Sequence, residues 1–290
     1  MPCRQRELGL AALSAERFQT NAAIFCRYMN KSDVSCRSFW QTITESQSPE
    51  INFRIPVQQK HPGLIWTAGR SSFQRPLCDL MNVREIPGGW EYAAEEKALF
   101  DERAASAFRV LEREVPAVFS CLCASIPYLL MARRDGYGGG SVSSRIGLIW
   151  LSPSQTWTDE VWAENILHEF VHNMLFVEEL VNSIFSLSVQ EMEEGESLAM
   201  SAIRRTPRGY DKSFHSAFVS YAITQFYLML GRKKKALELI PGLIVCVDDL
   251  VTKKRALTRN GLDLLNQLVD GVLRFGRQHL ARPEQPMPVT

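Results

Sequence analysis

His168-Glu169-Phe170-Val171-His172 is the run in this sequence best suited to chemistry. Residues four apart on an α-helix share a face, so both imidazoles can reach one metal ion with the glutamate beside them. The chain has five His in all, two of them in this pentapeptide. Two ligands do not hold a catalytic metal, which ordinarily takes three protein groups and keeps a position open. Two downstream residues compete for the third place. Glu194 lies 22 residues after His172, at the start of a helix expected over 194–203, where a zinc peptidase of the glutamate-ligand class would carry its carboxylate. His215 lies 43 residues after His172, near the start of a helix expected over 213–230. A third His six residues after the second, as in metzincins, is absent because position 178 is Glu. On spacing alone, Glu194 and His215 both stay open.

Charge around the motif is uneven. No Lys or Arg occurs between Arg145 and Arg204, whereas ten Asp and Glu fall from Asp159 to Glu196; Arg204, Arg205 and Arg208 then arrive together. A solvated acidic face is the plain reading of such a run. A cation site also needs negative or neutral surroundings, and an anionic co-ligand needs a nearby guanidinium.

These side chains need elements to position them. Thr158 is placed to cap a helix with Asp159 and Glu160 in its first turn, and Trp162, Ile166, Phe170 and Leu175 give that helix one apolar face. Arg145–Leu151 reads as a buried strand before it, ended by Ser152-Pro153, and Asp135–Ser144 as a glycine-serine loop or lid near the site. Phe100, Ala104, Phe108 and Leu111 recur at helical spacing within 90–114. Cys121 and Cys123 read as alternating strand residues, although the period of 118–123 does not decide between strand and helix. Further helices are expected over 233–240, stopped by Pro241-Gly242, and over 257–280. The first 90 residues carry turn signals at Pro62-Gly63 and Pro87-Gly88-Gly89 but little clear period. Three Pro after Arg282 suggest a loose tail over 283–290. The expected fold is α+β and mostly helical: one metalloenzyme domain over 1–282, its H-E-x-x-H helix packed on a few strands and its carboxy-terminal half helical.

Composition narrows the function classes. Thirty-three Lys and Arg against 32 Asp and Glu give a net charge of +1, which argues against a coat for nucleic acid or an anionic membrane. The uncharged stretch 115–132 is interrupted by Pro116 and Pro127 and reads as core rather than as a membrane span. Seven Cys without a regular framework point to a reducing, cytoplasmic home, and the opening apolar run is too short for a secretory signal.

The stretch from Gly138 to Tyr227 resembles the H-E-x-x-H family of α-ketoglutarate-dependent peptide β-hydroxylases that accompany ribosomally made, modified peptides. The similar pieces are Gly139-Gly140-Ser141 with Gly147–Leu151, then Leu167–Leu175. They continue with Ser201–Arg208, which holds Arg-x-x-Pro-Arg, and the His215 helix through Phe226-Tyr227. This covers about a third of the chain. Two positions depart from the family pattern: Gly209 stands where a second Pro is common, and Ser220 where some members carry a His, with Gln at the place of His215. The resemblance implies Fe(II), with α-ketoglutarate and O₂ as co-substrates, held by His168, His172 and His215. It further implies that Arg208, or Arg204 a turn away, grips the far carboxylate of α-ketoglutarate as a fork. The usual iron set of two His and one carboxylate would instead recruit Glu194 and leave His215 behind the ligands.

The expected activity is hydroxylation of a side-chain carbon, Cβ by resemblance, in a peptide or peptide-like substrate, free or linked to a carrier or leader, without nucleic acid or membrane. Two alternatives remain. A zinc peptidase would use Glu169 as general base and Glu194 as third ligand; in the hydroxylase Glu169 steadies the site instead. A metal-stabilised binding module would use the same ligands with no open position.

Overall fold

The computed structural model describes residues 8–51, 60–67, 71–86 and 88–276. The expected tail, the opening residues and Pro87 lie outside these. The chain is mostly helical with a small mixed sheet. Helices α1 (Ala15–Tyr28), α2 (Cys36–Gln47) and α3 (Gln74–Met81) occupy the amino-terminal region, where little period was expected from the residues. Strand β1 (Gly63–Trp66) starts at the expected Pro62-Gly63 turn. Helices α4 (Ala94–Glu114) and α5 (Pro116–Ser125) follow. Cys121 and Cys123 therefore sit on a helix and not on a strand: Pro116 opens it at the first position, where a missing N–H costs nothing.

Strands β2 (Tyr128–Met131), β3 (Gly139–Gly140) and β4 (Leu148–Leu151) complete the sheet in the order β1-β2-β4-β3, with β1, β2 and β4 parallel and β3 antiparallel on the edge. Side chains alternate across it. Leu129, Met131, Ile149 and Leu151 join the large core on one face. Leu130, Leu148 and Trp150 join Leu77, Leu80 and Met81 of α3 on the other. A strand covered on both faces must be apolar throughout, which is why Leu148–Leu151 is a continuous apolar run. The strand is shorter than Arg145–Leu151, because Ser143–Arg145 forms a 3-10 turn and Gly147 takes φ of 85°. The glycine loop is in part the edge strand β3.

Helix α6 (Asp159–Asn182) lies against β3 and β4 and carries the H-E-x-x-H run. The Thr158 hydroxyl accepts from Val161 N at 3.4 Å, and Asp159 and Glu160 stand in the first turn as expected. The short α7 (Val189–Met192) follows. The helix expected over 194–203 is replaced by a 3-10 turn at Gly195–Ser197 and a hairpin of β5 (Ala199–Met200) with β6 (Pro207–Arg208). Gly195 and Arg205 take positive φ, and Met200 N–H donates to Asp249 rather than to a helical carbonyl.

Helix α8 (Tyr210–Met229) is buried on nearly every side, polar Ser213, His215, Ser216, Ser220 and Thr224 included. Helix α9 (Lys233–Thr252) runs straight through Pro241-Gly242, the expected stop. Tertiary packing overrides the local signal: a Cβ at Gly242 would lie 2.5 Å from the Ala202 carbonyl oxygen, so the hairpin and α9 meet where only glycine fits. Helix α10 (Arg259–Phe275), capped by Thr258, closes the fold. One buried apolar cluster extends from Leu8 to Phe275. The six described cysteines are free, and no described helix is long and apolar enough to cross a membrane.

Candidate metal centre

Helices α6 and α8 meet along the face that bears the histidines. Near the start of α6, Glu160 pairs with Arg232, and Tyr227 of α8 donates to Glu164. Two turns on, His172 faces His215, so the helices run antiparallel and bring together imidazoles 43 residues apart. The His172 and His215 rings stack at 5.3 Å with 19° between their planes, and their Nδ1 atoms stand 3.0 Å apart. His168 adjoins this pair, its ring centroid 5.1 Å from that of His172. Phe176, one turn beyond, closes the far side at 5.0 Å from His215.

All three imidazoles sit in a recess crowded by protein, although part of the His168 and His172 rings stays accessible. Desolvation disfavours the charged form and lowers His168 and His215 to about 4. His172 falls well below its usual value, through burial first, then its two His neighbours and Arg208. The three are therefore neutral at pH 7, the form that presents a lone pair to a metal. As the side chains stand, no three His, Cys, Asp or Glu donors among the described residues are arranged to hold an ion. The close pair is His172 and His215. Two ligands on one ion at bonds of about 2.1 Å lie roughly 3.0–3.4 Å apart, so this spacing suits a shared ion as well as a shared proton.

Glu169 is buried on the same helix and accepts from the Ser141 hydroxyl at 2.7 Å. Burial raises it to about 7 against the opposing pull of that bond, and its Oε1 lies 4.0 Å from His168 Nε2. Ser141 reaches it because β3 passes close over α6: a Cβ at Gly139 would stand 3.5 Å from Glu169 Cγ and only 2.5 Å from the Trp150 carbonyl oxygen. Asn173 donates to the Glu169 carbonyl oxygen at 3.1 Å and accepts from Gly147 N at 2.7 Å, which locks α6 to the turn before β4.

The β5–β6 hairpin brings the arginines to the same place. Arg204 adds its charge to the depression of His168, and Arg208 does so for His172, so each guanidinium lies within electrostatic reach of one imidazole. Both are exposed. The hairpin is pinned to α8 beside His215: Ser216 Oγ lies 2.9 Å from Ser201 Oγ and accepts from Ile203 N at 3.1 Å, while Ser213 donates to the Ala199 carbonyl oxygen at 2.7 Å.

His168, Glu169, His172, His215, Arg204 and Arg208 thus come together. Glu194 does not join them: it is exposed at the 3-10 turn, where its carboxylate accepts from Gln190 at 3.4 Å. Ser141, Asn173 and Phe176 belong to the site, although none of them was expected to have a role in it. Ser141 and Asn173 lie within the pieces that carry the resemblance, but no period or spacing marks a serine on an edge strand as a partner of a glutamate 28 residues on. The chain matches no family model and no curated protein.

Proposed function

We propose that this chain is a non-haem Fe(II), α-ketoglutarate-dependent oxygenase that hydroxylates a side-chain carbon of a peptide, working in the cytoplasm. The observation that carries the reading is the meeting of three neutral imidazoles with two guanidiniums across α6, α8 and the hairpin. The donor set fits a divalent transition metal, with His168, His172 and His215 as its holders once the proton between His172 and His215 is displaced and the His168 ring turns in. When bound, the iron would supply the O₂ chemistry that couples decarboxylation of α-ketoglutarate to hydroxylation. Arg208, with Arg204 beside it, binds the far carboxylate of the co-substrate in a fork. Phe176 keeps water from one side of the imidazoles. Glu169, held by Ser141, fixes the edge strand to the helix and keeps a titratable proton beside His168.

That last feature supports a second reading. A carboxyl group titrating near neutrality is suited to general-base work, which a zinc peptidase built on the same three His would use. Protein purified without oxygen and loaded with Fe(II) or Zn(II) separates the two. Succinate formation with Fe(II), α-ketoglutarate and O₂, but not with Zn(II), is expected. Glu169→Gln should lower that turnover by roughly tenfold or less, as for other groups that support metal ligands. Peptide hydrolysis by the zinc form, lost by several orders of magnitude in Glu169→Gln, would reverse the assignment.

A further inference from the structure

The carboxyl ends of β2 and β4 open into a cavity of about 790 Å³. Crevices at the carboxyl ends of parallel strands are common ligand sites, and this volume suits a few peptide residues. On its wall is Asn165 of α6. At 100° per residue, Asn165 falls between Glu169 and His172 in direction, about 6 Å nearer the start of the helix than Glu169. The cavity therefore lies along the face of α6 that carries the metal motif. The Asn165 NH₂ donates to the Val161 carbonyl oxygen at 2.8 Å, while Oδ1 lies against Gly138 of the cavity wall with no hydrogen-bond donor among the described residues.

Two arginines line this space, and they differ. Arg133 spends its charge on Glu96, with Nη2 at 2.6 and 2.7 Å from the two carboxylate oxygens. Arg134 pairs with no carboxylate among the described residues, and Asp135 on the exposed rim does not reach it. Its guanidinium lies 3.9 Å from the centre of the Tyr137 ring, and one end donates to the Met81 carbonyl oxygen. Ser152 holds its backbone on both sides, accepting from Arg134 N at 2.7 Å and donating to Arg134 O at 3.0 Å. An arginine fixed at backbone and ring, lining a cavity and with no carboxylate partner among the described residues, is prepared for an anion.

We propose that this cavity binds a carboxylate of the peptide substrate through Arg134, with Tyr137 backing the guanidinium and Asn165 taking a backbone N–H. An acidic residue near the modified position would thus direct the peptide onto the metal face. Its role as a substrate subsite rests on the oxygenase reading; the carboxylate site itself does not.

The test is an equilibrium titration of the full chain with metal chelated, followed by tryptophan fluorescence, since Trp157 is in the cavity wall. The probes are Ac-Ala-Ala-Asp-Ala-Ala-NH₂, its Asn counterpart, and Ac-Ala-Ala-Ala with a free terminal carboxylate. The Asp peptide should bind about ten- to a hundredfold more tightly than the Asn peptide. Arg134→Gln should abolish that preference. Tyr137→Ala, which leaves the Met81 bond intact, should reduce it, with both variants checked for native melting. If the free-terminus peptide binds as the Asp peptide does, the carboxylate site stands and its source is the chain end. Equal binding of Asp and Asn peptides, no binding of either, or an unchanged preference in Arg134→Gln would overturn the proposal. No metal or turnover is needed, so failure of the oxygenase reading gives a separate result.

Discussion

At the scale of single residues, the imidazole pair favours His215 over Glu194 as the third ligand of the proposed metal centre. His215 stands against His172, while Glu194 is exposed beside Gln190. His215→Ala should therefore lower metal affinity by more than the roughly 10–100-fold seen for supporting groups, and Glu194→Ala should leave it near normal. Titration with Fe(II) or Co(II) giving the opposite order would restore the glutamate-ligand arrangement. Arg208 acts on a different quantity. In the proposed oxygenase its loss would remove a fork of charge-assisted bonds to α-ketoglutarate worth about 1.5–3 kcal/mol, reduced here because the side chain is exposed. Arg208→Ala should thus weaken α-ketoglutarate binding by about tenfold with the metal retained. An unchanged co-substrate affinity would move the role to Arg204. The histidines and Glu169 stood out in the sequence as candidates by residue type and spacing, and Arg208 by the family resemblance. Ser141 did not, because only the strand crossing over α6 brings it to Glu169.

At the scale of elements, the helices with capped ends and clear period were legible: Thr158 opens α6, Thr258 opens α10, and the 90–114 pattern is α4. Misreadings fall where tertiary contacts outweigh local preference. Pro241-Gly242 sits inside α9 because the glycine admits the Ala202 carbonyl, and the 194–203 segment is a hairpin because its backbone groups pair with Asp249 and with each other. Gly147 shows the same dependence at the turn that is bonded to α6. It takes φ of 85°, and a Cβ there would stand 1.1 Å from Trp40 Cη2, inside a buried ring. Its N–H meanwhile bonds Asn173. Gly147→Ala must carry backbone strain and displace Trp40, so a loss of about 2–4 kcal/mol in urea unfolding is expected. Gly88→Ala, with ordinary φ and no atom within 4 Å, should change stability by no more than about 0.5 kcal/mol. Equal effects at the two glycines would mean that the Trp40 contact does not hold this turn.

At the scale of the whole molecule, one buried carboxylate joins the first described α-helix, α6 and the last. Glu178 of α6 is fully buried. It accepts from Arg17 Nε at 2.9 Å, Asn21 at 2.8 Å, Asn182 at 2.9 Å and Asn260 at 3.0 Å, with a second Arg17 bond. Burial alone would raise its pKa; the Arg17 and asparagine bonds outweigh that and hold it below the usual carboxylate range. A folded pKa below the unfolded value of about 4.3 means that the unfolded chain takes up the proton first as pH falls. The stabilisation is complete above about pH 5 and is lost as pH drops through the folded pKa. Glu178→Gln keeps the shape but removes the charge that Arg17 and the three amides address. It should cost about 1–3 kcal/mol at pH 7, towards the lower end because Arg17 is partly exposed. The gap between wild type and variant should narrow as pH falls below about 4, measured by urea midpoints in chelator so that metal release does not contribute. A gap of the same size at pH 3 and pH 7 would mean that Glu178 acts through its packing rather than its charge, and that these three helices are joined by apolar contact alone.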